Sequence, residues 1–471
     1  MADLRADLLV LGGGPGGYTA AFRAADLGRS VVLVERHRVL GGVCLNVGCI
    51  PSKALLHVAE VLTSARRLAE AGVELGAPKL DLAKLRAHKD AVVAKLTGGL
   101  AKLADTRGVR VVTGTGRFRG PKQLAVDGAD GTVAIAFERA IVAAGSRAVK
   151  LPGLPDDPRI LDSTAALALA DVPPRLLVVG GGIIGLELAT VYAALGSEVT
   201  IVEALDRLMP GPDPELVRPL ERMLAPRCAG IHLRTTVASA ELRADGVRVA
   251  FEGEHPPARD CFDRVLVAVG RRPNGDRIGA EAAGLAVDAR GFVPVDARMA
   301  TNLPHVFAIG DVARAPLLAH KAMHEAKAAA EAACDLPVAF DARAIPAVAY
   351  TDPEVAWVGT TESEARAAGR EVEVARFPWS ASGRALGMDR GEGLTKLVYA
   401  KQDKRLLGAG IVGAHAGELV AECALAIELG ADLDDVALTV HPHPSLGETI
   451  GLAAEVGAGT ITDLAPPRRA R

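Results

Sequence analysis

Residues 8–35 read LLVLGGGPGGYTAAFRAADLGRSVVLVE, and residues 176–203 read LLVVGGGIIGLELATVYAALGSEVTIVE. Each stretch contains an apolar run, a GxGxxG turn, a helix-like segment ending in Leu-Gly, and a second apolar run that closes on glutamate. This order is typical of a strand, helix, strand unit that binds a dinucleotide. One such turn is a weak signal, but two complete copies 168 residues apart are a specific one. The sequence therefore predicts an α/β fold with two Rossmann-like nucleotide-binding domains.

The three glycines of each turn are expected to have separate roles. The first permits a tight turn, the second lets the backbone approach a pyrophosphate, and the third lets the helix pack against the strand. The phosphates would then lie at the N-terminus of the helix. In chain order these glycines are Gly12, Gly14 and Gly17 in the first unit, and Gly180, Gly182 and Gly185 in the second.

A glutamate ends the second strand of each unit, Glu35 in the first and Glu203 in the second. A carboxylate about 20 residues after the glycines accepts hydrogen bonds from ribose hydroxyls. Glu203 also repels a 2'-phosphate, and Ala204 and Leu205 follow it in place of a basic cluster. The second unit is therefore predicted to prefer NAD over NADP.

Two cysteines, Cys44 and Cys49, lie in the segment GGVCLNVGCIPSK just downstream of the first turn. A pair so placed is held near whatever the turn binds, which indicates a redox disulfide. Because a disulfide that exchanges electrons with an isoalloxazine must touch it, FAD is expected in the first unit and NAD in the second. The remaining cysteines lack this context and are interpreted as packing residues: Cys228, Cys261, Cys334 and Cys423.

The composition sets limits on the kind of protein. A chain of 471 residues is long enough for about three domains. Its net charge of -3 implies no nucleic-acid partner, and its apolar runs are too short for a signal peptide or a membrane span. We therefore expect a cytoplasmic protein. In the reducing cytoplasm a close cysteine pair is more often catalytic or metal-binding than structural. Zinc needs about four ligands and no second Cys or His pair lies nearby, so no metal site is predicted.

Further strand-and-glycine segments suggest where the domains end. RAIVAAGS contains Gly145 and RVLVAVGRRPN contains Gly270, and each is interpreted as the closing strand of a nucleotide unit. A later strand runs into Asp311 in TNLPHVFAIGDVA, where the carboxylate either caps a helix or contacts the ribityl chain of a flavin. The expected boundaries are an FAD domain over 1–150, an NAD domain over 151–274, a central segment over 275–345 and an α+β domain over 346–471.

Taken together, the chain resembles the pyridine nucleotide-disulfide oxidoreductase family, and within it the dihydrolipoamide dehydrogenases, the E3 components of 2-oxo acid dehydrogenase complexes. The resemblance runs nearly end to end. It rests, in order, on GGVCLNVGCIPSK, GGGIIGLE, VAVGRRPN, TNLPHVFAIGDVA, PLLAHKA, YTDPEVAWVG, FPWSASGRA and HPHPSLGE. It implies that the central segment returns to the FAD domain, that the C-terminal domain forms a homodimer, and that a lipoylated acyltransferase (E2) is the partner.

The resemblance assigns Cys44 to exchange with the substrate and Cys49 to the flavin. The local sequence supports this division, because Pro51 suits the first turn of a helix. A cysteine just before it would lie at the positive end of the helix dipole, which favours its thiolate. The activity implied is reoxidation of dihydrolipoamide to lipoamide with NAD as acceptor.

The same resemblance implies two further pairs. His443 would be the base that generates thiolates, oriented by Glu448, and the partner subunit would contribute both; His441 is the competing imidazole. The peptide bond between His443 and Pro444 is compatible with a cis conformation. Lys53 would pair with Glu187, in the first turn of the second unit's helix, beside the flavin, where an ammonium stabilises the charge of the reduced ring.

Several alternatives remain at this point. A glutathione reductase would favour a basic NADP pocket, which Glu203 contradicts, and a mercuric reductase would carry a second cysteine pair near the C-terminus, where this chain reads DLAPPRRAR. A transhydrogenase or NADH oxidase would lack the paired cysteines. A noncatalytic scaffold of a multienzyme core would have no need to keep both cysteines and both glycine-rich turns.

Overall fold

The computed structural model describes residues 3–465, and its first sheet contains the N-terminal repeat. The elements of this part are β1 (Leu4–Leu11), α1 (Pro15–Asp26), β2 (Val31–Glu35), α2 (Gly42–Val47), α3 (Cys49–Arg67), α4 (Leu82–Thr106), β3 (Arg110–Thr113), β4 (Thr115–Gly120), β5 (Gln123–Gly128), β6 (Gly131–Val142) and β7 (Ser146–Ala148). The strand order is β3-β2-β1-β6-β5-β4, with β1 parallel to both β2 and β6. The glycine-rich turn therefore leaves a central, buried strand.

The second repeat builds a second parallel sheet. Its elements are β8 (Ile160–Leu161), α5 (Ser163–Ala168), β9 (Arg175–Val179), α6 (Ile183–Leu195), β10 (Glu198–Val202), α7 (Pro214–Leu224), β11 (Gly230–His232), β12 (Thr235–Arg243), β13 (Gly246–Gly253), β14 (Cys261–Phe262), β15 (Arg264–Val267) and β16 (Arg271–Pro273). The order is β11-β10-β9-β15-β8, and β12, β13 and β14 form a small antiparallel sheet beside it. Because β9 is apolar after its first residue and is covered on both faces, it is buried like β1. Both predicted Rossmann-like units are confirmed.

The chain next returns to the first sheet. It forms α8 (Ala280–Ala283), β17 (Val306–Ala308) and α9 (Ala319–Ala332). β17 pairs in parallel with β6, and α9 packs against α1. A short antiparallel ribbon of β7 and β16 joins the two units. As a result, β1, β6 and β17 all end at the same edge of one sheet, which is where parallel α/β sheets bind ligands.

The last part of the chain is a separate layer of one sheet and several helices. Its elements are β18 (Ala347–Ala349), β19 (Glu354–Gly359), α10 (Glu362–Ala367), β20 (Val372–Pro378), α11 (Gly383–Gly387), β21 (Leu394–Ala400), β22 (Leu406–Gly413), α12 (Ala416–Leu429), α13 (Leu433–Leu438) and α14 (Glu448–Ala458). The antiparallel order is β18-β19-β22-β21-β20. α12 and α14 pack on this sheet around a core that contains the fully buried Trp379. The predicted C-terminal α+β domain is thus present.

One helical stretch in the described part of the chain, residues 42–67, is long and apolar enough to cross a membrane by length and composition. It consists of α2 and α3. α3 packs against α6 through buried side chains that include Leu55 and Leu56. In this fold the stretch packs between the two nucleotide units.

Candidate active site

A cavity of about 1770 Å³ runs between the two nucleotide units. Most of the side chains and glycines singled out in the sequence line it: Gly12, Gly14, Glu35, Cys44, Cys49, Lys53, Gly145, Gly180, Gly182, Glu187, Glu203, Gly270 and Asp311. Gly17 and Gly185 lie behind it in the two helices, and His443 and Glu448 lie outside it in the C-terminal domain. A single cavity therefore connects both glycine-rich turns with the cysteine pair.

The glycines of the second turn differ in conformation and surroundings. Gly180 has φ +110°, a conformation that side chains rarely adopt. A Cβ on Gly185 would lie 2.0 Å from the carbonyl oxygen of Gly180, so only glycine lets the helix approach the strand. A Cβ on Gly182 would meet nothing within 4 Å. That open side faces the cavity at the start of α6, where the dinucleotide phosphates would fit.

The two strand-ending glutamates each hold their own turn. Glu35 accepts a hydrogen bond from the amide of Gly13 at 2.7 Å, and Glu203 accepts one from Gly181 at 2.6 Å. The second oxygen of each carboxylate accepts an amide two residues downstream, from His37 and from Leu205 respectively. The carboxylates are thereby fixed at the wall of the cavity, where lone pairs remain for ribose hydroxyls. The GxGxxG pattern contains no sign of these bonds to Gly13 and Gly181, each of which lies between the first and second named glycines of its turn.

The cysteine pair lies where α2 gives way to α3. Gly48 interrupts the helix, and Cys49 is the first residue of α3, so it lies at the positive end of the dipole as predicted. Cys44 is half-buried and Cys49 is exposed. A side-chain hydrogen bond between the two thiols raises the pKa of Cys44 and lowers the pKa of Cys49 to about 7. Burial opposes the shift in the pKa of Cys49, while the Lys53 ammonium adds to it.

Lys53 and Glu187 form an ion pair across the cavity wall. The Nζ of Lys53 lies 2.9 Å from both carboxylate oxygens of Glu187, and it lies 4.4 Å from the centre of the Tyr350 ring. Glu187 also accepts hydrogen bonds from the Ser52 hydroxyl and from the Tyr350 amide, both at 3.0 Å. Glu187 is the fifth residue of α6, so it lies one position beyond the predicted first turn. The carboxylate thus joins the first unit, the second unit and the C-terminal domain.

Asp311 lies in a short 3-10 turn that directly follows β17. The residue in the N-cap position of that turn is Ile309, so Asp311 does not cap it. Its carboxylate accepts a hydrogen bond from the Ser146 hydroxyl at 2.5 Å. Gly145 and Gly270 have positive φ values and open space at their Cβ positions, so the backbone near Asp311 leaves room for a ligand.

The imidazole and carboxylate of the C-terminal domain form the expected pair. His443 Nδ1 lies 3.0 Å from a carboxylate oxygen of Glu448, which begins α14. The His443 side chain is 82% exposed, whereas that of Glu448 is 12% exposed. The competing His441 is 10% exposed and bonds to Glu422 at 2.7 Å. Of the two histidines, only His443 therefore presents a free ring edge to its surroundings. Its bond to Pro444 is cis.

Within residues 3–465, one group of carboxylates is close enough together to hold a metal ion, namely Asp213, Glu215 and Glu362. The ammonium of Lys396, whose side chain is 2% exposed, contacts all three. A buried ammonium already occupies the position that a cation would take. This group is therefore an ion-pair network between the second unit and the C-terminal domain.

Sequence reasoning missed several polar residues that line the cavity, among them Ser52, Ser146 and Tyr350. Ser52 and Ser146 lie in segments already singled out, GGVCLNVGCIPSK and RAIVAAGS. Tyr350 begins YTDPEVAWVG, a motif that carried the resemblance without an assigned role. For Ser52 and Ser146 the available signal was their position next to an assigned residue, Lys53 and Gly145 respectively.

Comparison with known proteins agrees with this geometry. Residues 6–326 match the family described as pyridine nucleotide-disulphide oxidoreductase, and residues 345–454 match the dimerisation domain of the same family. The second match supports a homodimer.

Similar proteins extend over nearly the whole chain. The dihydrolipoyl dehydrogenase of Vibrio cholerae is 53% identical and that of Haemophilus influenzae is 51% identical, each covering 98% of this chain and at least 97% of the relative. Among solved structures, LpdA of Mycobacterium tuberculosis has a TM-score of 0.87 at 26% identity and covers 96% of this chain and 99% of its own. The HOCl-induced flavoprotein disulfide reductase RclA of Escherichia coli has a TM-score of 0.85 at 27% identity, over 95% of this chain and 99% of its own. The predicted resemblance is confirmed, and this chain belongs to the pyridine nucleotide-disulphide oxidoreductase family.

Proposed function

We propose that this chain is a dihydrolipoyl dehydrogenase, which reoxidises dihydrolipoamide to lipoamide with bound FAD as the carrier and NAD as the acceptor. The observation that carries the proposal is the Cys44–Cys49 pair in a cavity shared by two nucleotide units. The relatives at 51% and 53% identity bear this name over nearly their full length. FAD is assigned to the first unit because the cysteines follow its turn, and NAD to the second.

The proposed first half-reaction is a thiol-disulfide exchange. With the pair oxidised, a substrate thiolate attacks the Cys44 sulfur, and Cys49 leaves as a thiolate. The second substrate thiol then attacks the mixed disulfide, which releases lipoyl disulfide and Cys44. His443 takes the proton of the first substrate thiol and gives it to Cys44 as that sulfur departs, and it then holds the proton of the second substrate thiol. Two cysteine sulfurs are reduced, two substrate sulfurs are oxidised, and the electron pair remains on Cys49.

Residues of the chain prepare Cys49 to hold and pass on that pair. The thiol of Cys44 and the helix N-terminus both favour the Cys49 thiolate, and its pKa of about 7 makes that form available near neutral pH. Lys53, fixed by Glu187, supplies positive charge beside the cavity. Bound FAD would supply the redox chemistry that connects the Cys49 thiolate with hydride transfer to NAD.

The base is proposed to come from the partner subunit. His443 lies outside the cavity proposed to receive the substrate, although it is oriented by the carboxylate of Glu448, which is 12% exposed. An exposed imidazole with a fixed orientation in a dimerisation domain fits a site completed across a two-fold axis. Each dimer would then have two sites, each with Cys44 from one chain and His443 from the other.

A complementation experiment tests the shared site. Cys44→Ser and His443→Gln homodimers should each lose nearly all dihydrolipoamide turnover while keeping FAD. Co-expression of the two variants forms mixed dimers, each with one intact site and one site lacking both groups. Random pairing should restore about one quarter of wild-type turnover. If mixing restores nothing although mixed dimers are isolated by two different tags, the sites lie within single chains.

The substrate itself is tested with purified protein. Dihydrolipoamide with NAD should be turned over rapidly, and glutathione disulfide with NADPH should not, since Glu203 opposes a 2'-phosphate. Preference for glutathione disulfide would contradict the proposal. We further propose a lipoylated acyltransferase as the physiological partner and a cytoplasmic location, because the activity consumes a protein-bound dithiol and the catalytic disulfide must be reducible.

A further inference from the structure

Three polar residues from three separate segments meet at the junction of the two units. Ser146 begins β7 directly after Gly145, Arg271 begins β16 directly after Gly270, and Asp311 follows β17. All three line the cavity. Two of the three, Ser146 and Arg271, have no part in the proposed chemistry, although each lies in a motif that marks the end of a nucleotide unit.

The three residues form one hydrogen-bonded chain. Arg271 Nε donates to the Ser146 hydroxyl at 2.7 Å, and a second guanidinium nitrogen donates to the Ser146 carbonyl at 2.8 Å. The Ser146 hydroxyl in turn donates to Asp311 at 2.5 Å. Ser146 is 3% exposed, so water does not compete for these bonds. Because Arg271 occupies a lone pair of the hydroxyl, the hydroxyl proton is directed at the carboxylate.

The positive charge of Arg271 has no direct carboxylate partner. Within residues 3–465, no carboxylate oxygen lies within 4.0 Å of its guanidinium. By contrast, the neighbouring Arg272 is exposed and lies 3.7 Å from Asp276. Both hydrogen bonds described above for the half-buried Arg271 guanidinium go to Ser146, so Arg271 can affect Asp311 through that serine. Ser146 in turn bonds only one oxygen of the Asp311 carboxylate.

We propose that Arg271 and Ser146 are positioning residues that hold the Asp311 carboxylate towards the bound flavin and link that contact to the second unit. Arg271 begins the strand that follows Gly270, so its guanidinium is attached to the backbone that borders the proposed NAD site. The hydrogen-bonded series also places the positive charge of Arg271 close to Asp311, with only the Ser146 hydroxyl between them. That charge partly offsets the carboxylate where reduction of the flavin adds negative charge.

This inference rests on the proposed function only in taking FAD as the ligand of the first unit. The test compares Arg271→Gln with Arg272→Gln, a matched control one position along the same ribbon. The dissociation constant of FAD is measured by rebinding to the FAD-free protein, and the midpoint potential of the flavin by redox titration. Neither readout depends on lipoamide turnover.

We expect Arg271→Gln to raise the FAD dissociation constant about tenfold, equivalent to about 1.4 kcal/mol, and to lower the midpoint potential. Arg272→Gln should match the wild type in both. Ser146→Ala should weaken FAD binding alone but add little in the Arg271→Gln background, because one chain carries both effects. If Arg271→Gln does not fold, Arg271→Lys, which keeps the charge but cannot make both bonds, replaces it and should give an intermediate effect.

Equal FAD affinities and potentials for the Arg271 and Arg272 variants would overturn the inference. Strict additivity of the Ser146 and Arg271 changes would also overturn it, since independent effects cannot pass through one hydrogen-bonded chain. A purified protein that contains no FAD would instead contradict the proposed function. The two failures are therefore separable in one set of measurements.

Discussion

The two nucleotide units share the same turn geometry, yet only one of them is followed by a close pair of cysteines. Gly12 and Gly180 have the same φ of +110°, and each strand-ending glutamate accepts a hydrogen bond from the amide of the next residue, Gly13 or Gly181. These common features come from the requirements of a tight turn and a phosphate site. The features common to both units therefore concern binding geometry, and they carry no information about the reaction.

The chemistry lies where the copies differ. Thr19 of α1 corresponds to Glu187 of α6, and it is this glutamate that reaches across to Lys53 of the other unit. After Glu35 the chain continues with Arg36 and the cysteine segment, whereas Ala204 comes after Glu203. Each difference either joins the units or sets the choice of cofactor. A repeat thus identifies the sites, and its departures identify their roles.

The largest effect on stability should come from changing the third glycine of a turn, which is present in both units. Gly185→Ala places a methyl group 2.0 Å from the Gly180 carbonyl, so it should lower the free energy of unfolding by about 2–3 kcal/mol. Gly182→Ala meets nothing within 4 Å and should fold normally, while it fills the space proposed for the NAD pyrophosphate. Chemical denaturation and NAD titration separate the two effects. Equal stability of both variants would contradict the assignment of the third glycine to packing.

A smaller effect should come from Glu203, because the residues after the strand-ending acid differ between the two units. Glu203→Ala removes both the repulsion of a 2'-phosphate and the acceptor for a ribose hydroxyl. We expect the preference for NAD over NADP, measured as the ratio of kcat/KM values, to fall about tenfold, or about 1.4 kcal/mol. Glu198→Ala is a matched control, since Glu198 is an exposed residue at the other end of the same strand. An unchanged ratio would mean that the turn, rather than the carboxylate, selects the cofactor.

The two units also differ from the rest of the site in how much of their structure can be predicted from the sequence. The units, the cysteine pair and the positions of Glu35 and Glu203 can be predicted from local patterns, because strand, turn and helix are adjacent in the chain. The bonds of Ser146 and Tyr350 cannot, since each joins segments more than 100 residues apart. The exposure of His443 also cannot be predicted from HPHPSLGE, because two histidines lie in this motif and only their packing distinguishes them.

The smallest expected effect is a shift in the pKa of Cys49. It tests whether the charge of Glu187, which belongs to the second unit, influences the thiolate of the first unit. The negative charge of Glu187 opposes the Cys49 thiolate, and the Lys53 ammonium favours it. Glu187→Gln keeps an acceptor for Lys53 but removes the negative charge, so the pKa of Cys49 should fall below its value of about 7. The thiolate would then persist to lower pH, and the acidic limb of the pH profile should move in the same direction.

Ultraviolet thiolate absorbance of the reduced protein measures the shift, and Lys53→Met should move the pKa of Cys49 upward, because it removes the favourable charge. A Cys49 titration that stays fixed in Glu187→Gln would show that the Cys44 hydrogen bond alone sets the thiolate. The glutamate that distinguishes α6 from α1 would then act only by holding the units together.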